Sequence, residues 1–499
     1  MIPGLRTLRR TRLALDSDLV LGQLLERLAA ADPDRVLVEE LGGATRTMGE
    51  AADLVDRWAA AVADQVEPGE VVVVATPNGY DQLLLCLAVS RAGAVPASIN
   101  DRLKAEEVDH VVADAGAALI VRDADELATD RPLGACHPAE PTDVGAVFYT
   151  SGTTGRPKGA ELTHRGILGG LNRAALVPLL GQEAVISLPM AHIMGLVVAV
   201  GMACASVPVR FLPRFDPDAV LDEIESRRAG IFVGVPAMYR MLLDAGAEDR
   251  DLGSVKLWFS GADAMPEELA EKFCRMGAMA TLPGGIRVGR AVFAEGYGMV
   301  ETAGGVAARV ALPHLPAAVG RLGVPLPGYR TRVVGDDGRV VGLGSIGELQ
   351  LSGPGVLKSY RGDAEATKGV FTDDGWLRTG DLVRRAALGL FTFEGRAKDV
   401  IVRGGYNVYA VEVEQVLERH PDVGEAAVVG LPDDRLGEVP VAAVVVGRGA
   451  EVTPDELRVW AKDHLSSYKV PVEVRLVDEL PHSGTRKVQR AGVRALFKD

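Results

Sequence analysis

Short apolar runs rich in β-branched residues alternate with helical stretches in this chain, and that alternation restricts the possible folds more than any other feature. Val71-Val-Val-Val-Ala-Thr76, Ala94-Val-Pro-Ala-Ser-Ile99, Ala118-Leu-Ile-Val121 and Val144-Gly-Ala-Val-Phe148 read as buried strands. Between the first two, residues 80–93 carry an apolar helical pattern closed by glycine. Strands separated by helices predict parallel sheets covered on both faces. At 499 residues the chain exceeds one compact core, so two or three domains are expected.

The fourth strand runs into Tyr149-Thr-Ser-Gly-Thr-Thr-Gly-Arg-Pro-Lys-Gly159. Thr150, Ser151, Thr153 and Thr154 supply hydroxyls, while Gly152 and Gly155 let backbone N–H groups approach an anion closely. Arg156 and Lys158 add charge. That is the chemistry of a polyphosphate clamp; a flexible surface turn is the plainer alternative. It is not a Walker loop, because no Gly-Lys-Ser/Thr closes it.

Composition narrows the partners. A formal charge of −14 argues against a nucleic-acid binder or a basic membrane-surface protein. Cations for anionic substrates must then be concentrated locally, as they are at Arg156, Lys158, Arg396, Lys398, Arg403 and Lys487. Four scattered cysteines form no Cys-x-x-Cys pair, which points to a reducing compartment. The longest apolar stretch, residues 195–209, is short for a membrane span and reads as a buried helix. Residues 1–15 carry four arginines without the apolar core of a secretory signal, so an unstructured basic arm and a cytoplasmic protein are expected. Residues 19–64 read as helical throughout, and 404–414 as a loop entering a helix.

The Tyr-Thr-Ser-Gly-Thr-Thr-Gly-x-Pro-Lys-Gly run resembles the signature of the adenylate-forming enzymes, later motifs follow that family's order, and Gly404-Gly-x-Asn-Val-Tyr409 is especially similar to the fatty acyl-CoA synthetases. The resemblance implies an α/β fold. Residues 1–395 would form a large N-terminal domain of two helix-flanked sheets plus a small β subdomain, and residues 396–499 a small α+β C-terminal domain. It also implies ATP, Mg²⁺ and CoA. The Phe259-Ser-Gly-Ala-Asp segment is similar to the adenine-holding loop, at Gly261, Ala262 and Asp263. In Gly296-Tyr-Gly-Met-Val-Glu-Thr302, Tyr297 flanked by Gly296 and Gly298 would stack on adenine, and Glu301 would hold Mg²⁺. Asp381 would accept from the ribose hydroxyls beside Arg396, Lys398 would be the hinge, and Gly404 and Gly405 would leave room for the pantetheine arm. Lys487 matches the adenylation lysine. His192, Val235, Ala237 and Met241 fall in segments similar to the acyl pocket, with His192 beside the reacting carboxylate.

Several positions depart from the pattern. Malonyl-CoA synthetases carry an arginine where this chain has Met241; Arg240 is one residue earlier and so turned by about 100°. An apolar tail is therefore expected, a fatty acid above all. Val300 replaces the usual threonine, a hydroxyl whose loss costs ~1–3 kcal/mol at a buried charged acceptor, and Thr302 is the candidate to compensate. Arg486 replaces the usual glycine before Lys487. Gly342-Leu-Gly-Ser-Ile-Gly347 fits Gly-x-Gly-x-x-Gly but precedes a strand-like run, so a dinucleotide site is rejected. Besides a CoA ligase, two readings stay open: an acyl-AMP ligase that loads a carrier protein, and a nucleotide-binding homologue with weakened catalysis.

Overall fold

The computed structural model describes residues 3–150, 157–176, 182–281, 286–311, 322–387, 390–447, 449–482 and 488–498. The chain separates into two compact units. The first comprises Met1–Pro316, Pro325–Arg330 and Ser352–Leu377; the second, Ala317–Val324, Thr331–Leu351 and Arg378–Asp499.

The first unit holds two sheets. One runs in the order Ser359–Tyr360, Lys158–Thr163, Val144–Thr150, Val95–Ser98, Val71–Val74, Ala117–Val121. Its last four strands are parallel, and Val71–Val74 is buried along its whole length, as a strand covered on both faces must be. Lys158–Thr163 folds back antiparallel on Val144–Thr150, so Thr150 stands opposite Lys158. The second sheet has a parallel core in the order Val292–Tyr297, Leu257–Gly261, Ile231–Gly234, Ala184–Ile186, Val209–Phe211, Val36–Glu40. Beneath it, Phe232, Tyr239, Trp258, Phe273 and Phe293 form one buried aromatic cluster. Its edge-to-face contacts include Tyr239–Phe273 at 4.8 Å and Trp258–Phe273 at 5.0 Å between ring centroids. The Tyr239 hydroxyl donates to the Phe259 carbonyl at 2.8 Å and so satisfies its only polar atom.

Two expectations for the N-terminal region are corrected. Residues 1–15 are not an unstructured arm, because Pro3–Leu15 is helical with Leu13 and Ala14 buried. Its Arg10 is buried as well and donates to the Ala175 and Cys204 carbonyls at 3.1 Å each. A guanidinium at the carbonyl end of helix Ile193–Cys204 is favoured by both hydrogen bonding and the helix dipole. Residues 19–64 are not uniformly helical either. Helices Leu24–Ala31 and Met48–Ala63 flank a hairpin of Val36–Glu40 with Thr45–Thr47. Pro33 ends the first helix. Val38 then pairs with Val209, a partner 171 positions away that no local pattern reveals.

Strands Arg330–Val334, Ile346–Ser352, Leu377–Arg385 and Phe391–Arg396 make the small β subdomain of the second unit, apart from Arg330, Ser352 and Leu377, which belong to the first. The Gly342–Gly347 pattern leads directly into one of these strands, as its rejection as a dinucleotide site requires. A five-stranded sheet with helices Ala410–Glu418 and Pro454–His464 follows, packed around Ile401, Val413, Leu417, Val428 and Val444. The segment expected as a loop contains a strand: Val400–Arg403 and Tyr406–Tyr409 form a hairpin with Arg403 opposite Tyr406. Its two-residue turn is Gly404-Gly405, both with positive φ (57° and 83°), a geometry that glycine adopts without strain. Among the described residues, no helix is long and apolar enough to cross a membrane.

His164, at the start of helix His164–Leu168, is buried; its Nδ1 accepts from the Leu21 N–H at 3.3 Å. Burial pushes its pKa down to about 4, so the folded protein holds it neutral. The unfolded chain protonates this ring near pH 6.5, whereas the folded chain resists until about 4. Stability from this group is therefore full above about pH 6.5 and declines as pH falls to 4, by roughly 3 kcal/mol in total. Denaturant titrations across that window will show the slope, and His164→Gln will remove this component of it.

Candidate active site

Parallel strands end on the same edge of a sheet, and loops leaving that edge are the usual place for a ligand in α/β folds. In the second sheet Gly261 lies level with Gly296, and Gly234 with Ser260. Past these ends the chain delivers Ala262 and Asp263 from one strand, and Tyr297, Gly298, Glu301 and Thr302 from its neighbour. The third delivers Val235 and helix Pro236–Asp244, on which Ala237 and Met241 are half-buried at i and i+4 and so share a face. The fourth, Ala184–Ile186, leads to His192, half-buried as the residue before helix Ile193–Cys204. That helix packs over the edge, with the methyl end of Met194 beside Gly261. Parallel register thus collects candidates from four separate segments.

Both turns at this edge are tight. Ala262 and Ala303 take left-handed backbone, φ 68° and 51°, which costs a non-glycine residue of order 1–2 kcal/mol. At Gly298 a Cβ would come within 2.1 Å of the Gly304 carbonyl oxygen, so the turn admits no side chain there. Thr302 corrects an expectation. It is fully buried, and its hydroxyl accepts from the Met299 N–H and reaches the Met299 carbonyl, both at 3.0 Å. It closes the turn that presents Glu301 and does not stand in for the hydroxyl missing at Val300.

Glu301 meets the first sheet through Tyr360, whose hydroxyl donates to Glu301 Oε1 at 2.8 Å. Tyr360 lies on Ser359–Tyr360, the strand beside Lys158–Thr163, opposite Ala160. Lys158 Nζ is 5.7 Å from the centre of the Tyr360 ring and 3.5 Å from Asp363 Oδ2. The lysine that ends the phosphate-loop hairpin and the carboxylate from the second sheet are therefore neighbours of one tyrosine. Thr150 flanks this hairpin. Ser151, Gly152, Thr153, Thr154 and Gly155 lie outside the described residues, as do Arg156, Arg486 and Lys487.

In the second unit, Asp381 and Arg396 face each other across antiparallel strands. Arg396 Nε donates to Asp381 Oδ1 at 2.7 Å, and the Thr379 hydroxyl accepts from the Asp381 N–H at 3.0 Å. Arg396 thus orients the buried carboxylate while Thr379 holds the Asp381 backbone, and the Asp381–Arg396 pairing, 15 residues apart, is one that the motifs did not announce. Lys398 is exposed on the single turn Ala397–Asp399 that joins two strands.

Sequence reasoning passed over Glu295 and Arg309. They stand opposite each other on antiparallel strands, paired at 2.8 Å, with side chains 13% exposed each. Glu295 Oε1 also accepts from the Met265 N–H at 3.2 Å, which ties down the loop after Gly261. Burial raises the Glu295 pKa and Arg309 opposes that rise. Only the strand register, not spacing along the chain, pairs them. Arg309→Met will leave a buried carboxylate without its cation and destabilise the fold by about 3 kcal/mol in chemical denaturation. Adding Glu295→Gln to Arg309→Met will restore part of that loss.

Comparison with known proteins agrees with this geometry. Residues 25–361 match the AMP-binding enzyme family, and residues 412–487 match the AMP-binding enzyme C-terminal domain. A feruloyl-CoA synthase from an Amycolatopsis species is 34% identical over 96% of this chain and 99% of that protein. An indoleacetate–CoA ligase from Aromatoleum aromaticum is 30% identical over 95% and 98%. Among solved structures, ATP-bound MatB from Rhodopseudomonas palustris aligns with a TM-score of 0.83 and 29% identity, covering 96% of this chain and 99% of that one. The chain belongs to the AMP-binding enzyme family, the adenylate-forming enzymes whose signature stands at its residues 149–159.

Proposed function

We propose that this protein is an AMP-forming acid–CoA ligase that acts on an apolar monocarboxylic acid. The observation that carries the reading is the junction of Lys158, Tyr360 and Glu301 beside the strand ends bearing Gly261 and Gly296. A carboxylate is a poor acyl donor because its leaving oxide is too basic. Attack of its oxygen on the α-phosphorus of ATP forms acyl-AMP and expels pyrophosphate. The CoA sulfur then attacks the acyl carbonyl, and AMP leaves with the bonding electrons. Transfers of this kind need alignment and charge neutralisation rather than a protein nucleophile.

The roles are those that the family motifs imply. The 149–159 loop with Lys158 grips the outer phosphates, and Gly261, Ala262, Asp263, Gly296, Tyr297 and Gly298 frame the adenine. Asp381, oriented by Arg396, takes the ribose hydroxyls. Glu301 offers one hard oxygen ligand, and the described residues contain no cluster of three or more protein ligands; that donor set suits Mg²⁺, which keeps waters and phosphate oxygens. When bound there, Mg²⁺ neutralises phosphate charge. Lys487 supplies the cation for the first half-reaction. In this reading residues 396–499 then swing about Lys398, withdraw Lys487 and bring up the Gly404-Gly405 turn for CoA.

For the acid, this reading takes His192 to the carboxylate end and Val235, Ala237 and Met241 as apolar wall for the tail. Met241 favours a fatty acid, whereas the feruloyl and indoleacetate specificities of the relatives favour a compact ring-bearing acid. ATP–pyrophosphate exchange across fatty, aromatic and dicarboxylic acids, followed by product analysis with CoA, tests this. Apolar monocarboxylates will exchange best; a preference for malonate or oxalate would refute the pocket, and acyl-AMP that never reaches CoA would favour carrier loading. Lys487→Ala will lower adenylate formation by at least about 100-fold and leave transfer from supplied acyl-AMP within a few fold. Equal losses in both half-reactions would remove Lys487 from this role.

A further inference from the structure

Two opposite charges at one site attract each other, and a direct pair between Lys158 and Glu301 would take the lysine from the nucleotide and the carboxylate from the metal. Here they are kept apart. Tyr360 is buried, with Lys158 Nζ 5.7 Å from its ring centre and Glu301 Oε1 2.8 Å from its hydroxyl. Lys158 takes Asp363 as its ion-pair partner, at 3.5 Å. Tyr360 is itself held. Its N–H donates to the Thr367 hydroxyl at 2.9 Å, that hydroxyl reaches the Asp363 carbonyl at 2.8 Å, and Tyr360 pairs with Ala160 across the sheet. Glu301 is fixed from behind as well, because its carbonyl accepts from the Leu357 N–H at 2.8 Å. The segment 357–363 therefore grips both groups at once.

We infer that Tyr360 is the positioning residue of the phosphate and metal site: its hydroxyl occupies Oε1 of Glu301 and orients Oε2 for the cation, while its ring separates Glu301 from Lys158. This rests on the reading of Glu301 as the Mg²⁺-holding carboxylate. A carboxylate with one oxygen already bonded has fewer orientations to lose when it takes a cation. A divalent ion, which needs a correctly directed oxygen, should feel that fixation more than the nucleotide does. Loss of the hydroxyl should therefore weaken metal binding selectively. Loss of Lys158 should weaken nucleotide binding with or without metal.

The test uses the full chain with ATP and no acid. Mn²⁺ is titrated into the enzyme–ATP complex and followed by electron paramagnetic resonance; ATP affinity is measured separately in EDTA. Tyr360→Phe keeps the ring and is expected to weaken Mn²⁺ about three- to tenfold, with metal-free ATP affinity within twofold of wild type. Lys158→Met is expected to weaken ATP in EDTA as well. Thr367→Val, which releases the Tyr360 backbone, is expected to shift Mn²⁺ affinity in the same direction and carries the test should Tyr360→Phe not fold. Glu301→Gln separates the two levels. If Glu301→Gln weakens Mn²⁺ and Tyr360→Phe does not, the positioning role is overturned while the metal reading stands. If neither changes Mn²⁺ affinity, both are overturned.

Discussion

The structure depends on the level endings of parallel strands Ile231–Gly234, Leu257–Gly261 and Val292–Tyr297. A parallel ladder has no short turn between neighbours, so each strand must be reached by a long crossover, and each crossover leaves the sheet at the same edge. Three loops from distant parts of the chain are thereby delivered side by side. The aromatic cluster of Phe232, Tyr239, Trp258, Phe273 and Phe293 lies beneath those strands and contributes buried area and fixed ring geometry. Displacing one strand by a residue would turn its buried side chains to the opposite face, so the packing that stabilises the sheet also fixes the positions of the loops.

Charge is organised against the overall balance. A chain with a formal charge of −14 repels phosphates at long range, and its cations must act locally. Lys158 and Arg396 show how that is arranged, since each is held against a carboxylate, Asp363 and Asp381 respectively. A half-exposed pair such as Lys158 with Asp363 is worth little to stability, which leaves the lysine available to a stronger anion. The buried Glu295–Arg309 pair is different in kind. It is screened from solvent and braces the loop after Gly261.

Structure that depends on a continuous segment is legible in that segment. The β-branched runs at 71–76, 94–99, 118–121 and 144–148 each contain or lie on a strand, and the rejected Gly-x-Gly-x-x-Gly pattern does enter one. Sequence and structure part where a distant partner decides the outcome. The strand Val36–Glu40 exists because Val209–Phe211 offers it a ladder, and the N-terminal helix is held down by carbonyls at the end of another helix. Thr302 departs from expectation for a related reason: whether a hydroxyl faces a ligand or its own turn depends on backbone direction, which residue identity does not encode.

By itself the sequence determined the family, the alternating α/β class and the residue types of an adenylating site, because glycine, hydroxyl and cation spacing are properties of a continuous segment. Only the tertiary structure decided that Glu301 and Lys158 share Tyr360, that Arg396 orients Asp381 and that Arg309 neutralises Glu295. Those pairings join positions between 14 and 202 residues apart. They are set by strand register and by the way the two sheets of the first unit meet, and spacing along one chain carries no information on either.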